Sequence, residues 1–339
     1  MEHIPIIGIT MGDPFGVGPE IILKALSASR IYGYCKPIVI GDPQVLSDAA
    51  GPAGWQGGLC TISCTGEANP LPNHIAVICP SGLKTCSFSP GSPSAEGGKA
   101  AAQCIEEAVG LAMAGELDAI VTCPINKAML NAAGYAFEGH TQMIARLTGA
   151  KSYVMMLAGS RLRVCLVTIH VSLRQVPDLI TQDKVYQTIA LSYSALRQDF
   201  AISAPRLAVA ALNPHAGEQG LFGREEEEVI SPAISRAKRE GITVYGPFPA
   251  DTLFWRAAQG QFDAVIAMYH DQGLGPLKLI HFYDAANITL GLPIVRTSVD
   301  HGTAYELAGT GKANPSSLMT ALQMASMIVK NRKKEVPFS

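Results

Sequence analysis

Short runs of β-branched and aliphatic residues alternate along the chain with longer stretches in which apolar positions recur at helical spacing. PIIGIT is followed by PEIILKALSAS, KPIVIG by PQVLSDAA, and LDAIVTCPI by NKAMLNAAG. A fully apolar run of strand length needs cover on both faces, and the amphipathic segments between such runs supply it. The alternation therefore predicts βαβ units around a parallel sheet, an α/β fold. AEGGKAAAQCIEEAVGLAMAG, from Ala95 to Gly115, reads as one long amphipathic helix ahead of a buried strand at Ala119 to Thr122. Further strands are expected at SYVMMLAG, RVCLVTIH, RLAVAALN, ITVYGP, DAVIAMYH and LPIVRTSV, with helices at KVYQTIALSYSALRQDF and EEEEVISPAISRAKREG. From about Gly51 to Ser94 the rhythm breaks into Gly, Pro, Ser and Cys, which predicts an irregular excursion or a small antiparallel addition.

At 339 residues the chain exceeds one average core and implies two lobes, hence a cleft. With no repeat and no long linker, both lobes are wound from one α/β chain, the last helix returning to the first lobe. Apolar residues make up 48%, charged ones 16%, and the net charge is −2, so no basic face for nucleic acid is expected. No run reaches the ~18 to 20 apolar residues of a membrane span, and MEHIPIIG lacks the features of an export signal, which predicts a cytoplasmic protein. The eight cysteines form no C-x-x-C pair; Cys104, Cys123 and Cys165 lie in apolar runs and read as reduced, buried thiols, while Cys60 and Cys64 stay open.

One stretch asks for a ligand. GITMGDPFGVGPE, from Gly8 to Glu20, joins a strand to a helix through a glycine-rich turn, the context in which backbone N–H groups grip phosphate. It lacks the third small residue of the G-x-G-x-x-G fingerprint and the Gly-Lys-Ser/Thr of a Walker loop, while Pro19 and Glu20 suit a helix's first turn. A plain strand-to-helix turn and a site loop remain alternatives at this point.

The histidines are more telling. RVCLVTIH ends at His170, RLAVAALNPH at His215 and DAVIAMYH at His270, each just past an apolar strand. In a parallel sheet the carboxyl ends share one edge, where open α/β folds bind ligands, so three imidazoles could converge there. Three neutral nitrogen ligands leave open positions on a divalent ion; zinc suits them best, with magnesium, manganese or cobalt as alternatives. Gly139-His-Thr-Gln142 offers a donor-rich turn, and Lys278, Asn287 and Arg296 add donors suited to phosphate or carboxylate. Together these describe a site for a small phosphorylated hydroxy acid.

Several long stretches resemble the PdxA family, the 4-hydroxythreonine-4-phosphate dehydrogenases of vitamin B6 (pyridoxine) biosynthesis: ITMGDPFGVGPEI, TCPINKAML, FEGHTQMIARLTGA, LNPHAGE, GPFPADTLF, MYHDQGLGPLKL and NITLGLPIVRTSVDHGTAYELAGTGKANPSSL. The resemblance runs from residue 9 to about 318 and weakens only around Gly51 to Ser94. It implies two α/β/α lobes of the isocitrate and isopropylmalate dehydrogenase type with the active site in the cleft between them. The lobes would comprise 1–125 with 300–339, including the cofactor loop, and 126–299, carrying the metal and substrate residues. It places the metal on His170, His215 and His270, and substrate on His140, Thr141, Lys278, Asn287 and Arg296. NAD or NADP would lie on the loop after His301, at Gly302, Thr303, Ala304, Gly309, Gly311 and Asn314. It also implies a homodimer sharing each site across the interface. GITMGDPFGVGPE then reads as the fold's opening turn, with Asp13 a neighbour of the site.

The implied chemistry is oxidation of the C3 hydroxyl of 4-phosphooxy-L-threonine by NAD(P)⁺, followed by loss of CO₂. Asp271, Asp251 and Lys127 are the candidates for the proton acceptor. Alternatives are a dehydrogenase of the same fold acting on D-threonate or D-erythronate 4-phosphate, metal-dependent hydrolysis or aldol cleavage of a sugar phosphate, and a non-catalytic phosphometabolite-binding protein.

Overall fold

The computed structural model describes residues 3–69, 71–83 and 89–334. Cys86 and the rest of 84–88, within the Cys- and Gly-rich stretch, lie outside the described residues. The chain divides into two compact units, the first Met1–Lys151 with Leu292–Lys333 and the second built from Ser152–Gly291.

These divisions differ from the 125/126 and 299/300 boundaries expected from sequence. The helices Lys127–Ala132 and His140–Leu147 pack on the long helix Ala95–Met113, and the last strand pairs with Ala119–Thr122, so both segments belong to the first unit. Lys127, His140, Thr141 and Arg296 are consequently first-unit residues.

In chain order the strands are β1 (Ile6–Thr10), β2 (Lys36–Ile40), β3 (Gly58–Thr61), β4 (His74–Ile78), β5 (Ala119–Thr122), β6 (Val154–Ala158), β7 (Arg163–Leu166), β8 (Leu207–Ala210), β9 (Val244–Phe248), β10 (Ala264–Ala267), β11 (Ala286–Leu290) and β12 (Val295–Val299). In the first unit the order is β3-β4-β2-β1-β5-β12, every neighbouring pair parallel. The expected antiparallel addition is therefore corrected: β3 extends the sheet as a parallel edge strand, Leu59 opposite Ile75. The chain leaves β1 toward β2 and later returns on β1's other side as β5, so the carboxyl ends of β1 and β5 bound a topological switch point. Met11 to Asp13 and Cys123 to Pro124 occupy that edge, joined by the Asp13 N–H to the Pro124 carbonyl at 2.8 Å.

In the second unit the order is β11-β6-β7-β10-β8-β9. Strands β7, β10, β8 and β9 are parallel, whereas β6 runs antiparallel to both β7 and β11. The departure from a wholly parallel sheet follows from the short link between β6 and β7, closed by the Gly159 N–H on the Leu162 carbonyl at 3.0 Å. Four residues can turn a hairpin but cannot hold a crossover helix.

HDQGLGPLKLI forms the helix His270–Ile280 despite Gly273, Gly275 and Pro276. Its backbone lies so close to the sheet that a Cβ at Gly273 would sit 2.6 Å from Val164 Cγ1. Leu274 and Leu277 bury against Val164, Leu166 and Ala267 in the unit's core. At about 1.5–3 kcal/mol per buried leucine, that packing outweighs the roughly 1 kcal/mol cost of each helical glycine.

No helix among the described residues is long and apolar enough to cross a membrane. The seven described cysteines are free thiols; Cys35, Cys104, Cys123 and Cys165 are buried, and Cys60 and Cys64 exposed.

Candidate active site

Strands β7, β10 and β8 are adjacent and parallel, so the residues that follow them emerge on one edge of the second unit. His170 follows β7, His270 opens the helix after β10, and His215 lies in the turn after β8. The His170 and His270 rings stand 5.6 Å apart, centre to centre. The Asp271 carboxylate sits 2.7 Å from His270 Nδ1, a contact that favours the tautomer with the proton on Nδ1. Among the described residues no group of three His, Cys, Asp or Glu side chains is closed tightly enough to hold a metal ion. The donor set still suits one: two imidazoles at ligand-pair separation, one already oriented by a carboxylate, on the edge that carries a third.

That edge is tied together by groups with no sequence signal of their own. The Thr168 hydroxyl donates to the Met268 carbonyl at 2.7 Å, joining the ends of β7 and β10. Gln272 is 8% exposed; its Oε1 accepts the Met268 N–H at 2.7 Å and its Nε2 donates to the Ala211 carbonyl at 2.6 Å, joining β10 to β8. Glu226 holds the chain leading to His215 by accepting the Leu212 and Asn213 N–H groups at 2.8 and 2.7 Å. Asn287 lies in β11 with its side-chain oxygen buried and without a hydrogen-bond partner among the described residues, and Lys278 places its ammonium 5.7 Å from the Phe282 ring centre. Asp251 is exposed in the first turn of the helix Ala250–Ala258, where it accepts the Thr252 N–H at 3.0 Å.

The first unit carries a separate cluster. Arg296 projects from β12 and is 2% exposed; its guanidinium donates to the Thr122 hydroxyl at 2.7 Å and the Thr141 hydroxyl at 3.4 Å. Burial draws its pKa down to about 9, which leaves the cation charged at neutral pH. His140 Nε2 lies 2.9 Å from the Cys123 carbonyl. Burial first, and the Arg296 cation second, lower the His140 pKa to about 3, so its imidazole is neutral, with Nε2–H as donor and Nδ1 as acceptor. His140 and Thr141 begin the helix His140–Leu147, where sequence reading expected only a donor-rich turn. The Lys127 side-chain carbon Cε approaches Gly139 closely enough to meet an added Cβ at 3.3 Å, which brings that cation beside His140.

The loop after His301 is held by the opening turn. The Val17 N–H donates to the Thr303 carbonyl at 2.9 Å, and the Tyr305 hydroxyl to the Asp13 carboxylate at 2.6 Å. Asp13 also accepts the Phe15 N–H at 2.9 Å; burial raises its pKa and these two bonds oppose the rise. Glu20, 2% exposed, accepts the Ala313 and Gly311 N–H groups at 3.0 and 3.3 Å. Lys24 bonds Glu20 at 2.9 Å and donates to the Gly311 and Ala313 carbonyls at 2.7 and 2.8 Å. Ala304, Gly309 and Gly311 are all left-handed, at φ of 43°, 73° and 73°. Space beside Gly302 is open, whereas the carbonyl of Pro52 backs Gly311. Asn314 accepts the Ser316 N–H at 2.9 Å, just at the start of the last helix, Ser316–Lys334. Pro90 likewise backs Gly309, so the anchored loop offers backbone approach to a dinucleotide at Gly302.

A family model described as "Pyridoxal phosphate biosynthetic protein PdxA" matches residues 33–325. The chain belongs to the PdxA family. It is 53% identical over 327 residues, 96% of each chain, to the 4-hydroxythreonine-4-phosphate dehydrogenase of Desulfosudis oleivorans. It is 43% identical over 327 residues, 95% of this chain and 99% of the relative, to the D-threonate 4-phosphate dehydrogenase of Pectobacterium atrosepticum. The crystal structure of 4-hydroxythreonine-4-phosphate dehydrogenase from Klebsiella pneumoniae superposes with a TM-score of 0.86 at 42% identity, covering 96% of this chain and 99% of that one. The PdxA family thus accounts for the α/β architecture over nearly the whole chain.

Proposed function

We infer that this PdxA-type dehydrogenase oxidises the C3 hydroxyl of 4-phosphooxy-L-threonine with NAD(P)⁺, giving 2-amino-3-oxo-4-phosphooxybutanoate, which loses CO₂ to form 3-amino-2-oxopropyl phosphate on the way to pyridoxal phosphate. The observation that carries the reading is the pair of imidazoles, with a third histidine in the turn after the neighbouring strand, in a chain of this family. The 53% identity to a 4-hydroxythreonine-4-phosphate dehydrogenase, against 43% to a D-threonate 4-phosphate dehydrogenase, favours the amino acid substrate.

His170, His215 and His270 would hold a divalent ion, zinc, magnesium, manganese or cobalt, whose Lewis acidity lowers the pKa of a bound hydroxyl. Asp271 keeps His270 in the tautomer that presents Nε2. Arg296 and Lys278 supply positive charge, and Thr141, Asn287 and neutral His140 supply hydrogen bonds, for the phosphate and carboxylate of the substrate. Such bonds fix the reacting carbon and convert orientation into rate. The nicotinamide, when bound, would accept the hydride released as the C3–H bond breaks, and the hydroxyl proton would pass to a base. Lys127, Asp251 and Asp271 are the candidate bases; Asp271 is already engaged with His270, and Lys127 is the one beside His140. The loop at Gly302, Thr303, Ala304, Gly309, Gly311 and Asn314 would take the dinucleotide's adenosine part. The active form would be a homodimer in the cytoplasm.

The test is a coupled comparison: 4-phosphooxy-L-threonine, D-threonate 4-phosphate and D-erythronate 4-phosphate, each with NAD⁺ or NADP⁺ and a divalent ion. Reduction of the nicotinamide with release of CO₂ from the first is expected. Turnover of a threonate or erythronate phosphate alone would assign the chain to the other branch.

A further inference from the structure

We propose that Glu226 is the positioning residue for His215, setting the third imidazole in place for a divalent cation. The proposal rests on the metal reading above and extends it to a residue outside the ligand set. His215 is reached through an unusual backbone: His215, Ala216, Gly217, Glu218 and Gln219 all have positive φ, at 51°, 55°, 80°, 43° and 57°. Four of these five carry a side chain, and each such residue costs roughly 1–2 kcal/mol in the left-handed region. A turn of this kind persists only where its surroundings over-determine it.

Glu226 supplies that determination. It is 3% exposed and opens the π-helical turn Glu226–Ile230, an element found often at functional sites. Oε1 accepts the N–H groups of Leu212 and Asn213 at 2.8 and 2.7 Å, and Oε2 accepts Asn213 Nδ2 at 2.9 Å. Asn213 Nδ2 donates also to Glu225 Oε2 at 2.7 Å. The turn itself rests against the same carboxylate, since a Cβ on Gly217 would lie 2.8 Å from Glu226 Oε2. Glu226 thus grips both flanks of His215, through the backbone before it and the packing after it.

The bonding pattern calls for a carboxylate and not merely a side chain of that size. A glutamine could keep Oε1 on the two backbone donors, but its amide nitrogen would then face Asn213 Nδ2, donor against donor. Turning the Asn213 amide over would relieve that clash and set its oxygen against Glu225 Oε2 instead. Either way one buried polar contact is lost, and the turn carrying His215 loosens.

The experiment titrates Co²⁺ into wild type, Glu226→Gln and His215→Ala, with calorimetry for affinity and visible absorption for the ligand field. Dinucleotide binding by the loop after His301 and thermal unfolding serve as controls for a general loss of fold. Glu226→Gln is expected to weaken Co²⁺ binding at least tenfold and alter the ligand-field bands, with dinucleotide affinity unchanged. Asn213→Ala, which keeps both backbone donors, is expected to weaken binding less and supplies the same readout should Glu226→Gln not fold. Wild-type affinity and spectrum in both variants, alongside weakened binding in His215→Ala, would overturn the proposal and leave the metal reading standing. Absence of Co²⁺ binding by the wild type would instead remove the metal reading, and the proposal with it.

Discussion

Replacing Glu20 by alanine should release the loop at 311–313 from the first helix. Glu20 is almost fully buried, and it receives both the Lys24 ammonium and the Gly311 and Ala313 amides. Removing one member of a buried ion pair costs about 3–5 kcal/mol, because the other charge is left behind. The Lys24 side chain keeps 19% of its surface and its bonds to the Gly311 and Ala313 carbonyls, so the lower end, about 3 kcal/mol, applies. Spent on local opening, 3 kcal/mol speeds exchange of the loop amides by about a hundredfold. Hydrogen exchange followed by mass spectrometry reads that change in the segment around 311–313, with β1 and β5 peptides reporting on the rest of the unit. Dinucleotide affinity should fall in parallel while Co²⁺ affinity holds. In Glu20→Ala with Lys24→Met the bonds to the Gly311 and Ala313 carbonyls are lost as well, and exchange should rise further. Exchange and dinucleotide affinity within twofold of wild type in Glu20→Ala would refute the clamp.

Gly98→Ala should destabilise the first unit by about 1–3 kcal/mol, since the added Cβ would meet the Met129 carbonyl oxygen at 2.2 Å; chemical denaturation checks it, and a neutral effect would mean that the helices part at little cost. His140 should show no imidazole titration between pH 5 and 8 by NMR, its folded pKa of about 3 lying far below the ordinary 6.5. Between about pH 6.5 and 3 the unfolded chain binds the proton and the folded one does not. The contribution of His140 therefore makes stability fall as pH drops from about 6.5 toward 3, with no effect above 6.5; an NMR midpoint near 6.5 would contradict the buried, neutral assignment. Asp271→Asn should weaken divalent-ion binding by about 10–100-fold by replacing the carboxylate on His270 Nδ1 with a neutral amide, and calorimetry measures it; unchanged affinity would show that the Asp271 contact is incidental.

What was legible in the sequence was what depends on local pattern. Apolar runs marked most strands, including those that precede His170, His215 and His270, because a strand covered on both faces cannot hide its composition. The helix His270–Ile280 was hidden by Gly273, Gly275 and Pro276, poor helix formers of which Gly273 serves close approach to the sheet. Strand direction could not be read at β3 and β6, since a pattern of apolar residues carries no sign for parallel or antiparallel. Lys24, Gln272 and Glu226 gave no signal either, and Glu20 signalled only a helix start, as each acts on backbone groups elsewhere in the chain. The left-handed turn at His215 was equally silent, because histidine, alanine, glutamate and glutamine do not advertise positive φ. GITMGDPFGVGPE fits neither nucleotide template, yet its Asp13, Val17 and Glu20 anchor the loop to which the dinucleotide is assigned.

The most direct test of the account is the purified protein incubated with 4-phosphooxy-L-threonine, a divalent ion and NAD⁺ or NADP⁺, followed at the absorbance of the reduced nicotinamide and by trapped CO₂. The account predicts equal amounts of reduced cofactor and CO₂, lost together on chelation of the ion. No reduction with either dinucleotide, while the same preparation turns over D-threonate or D-erythronate 4-phosphate or none of the acids at all, would contradict it.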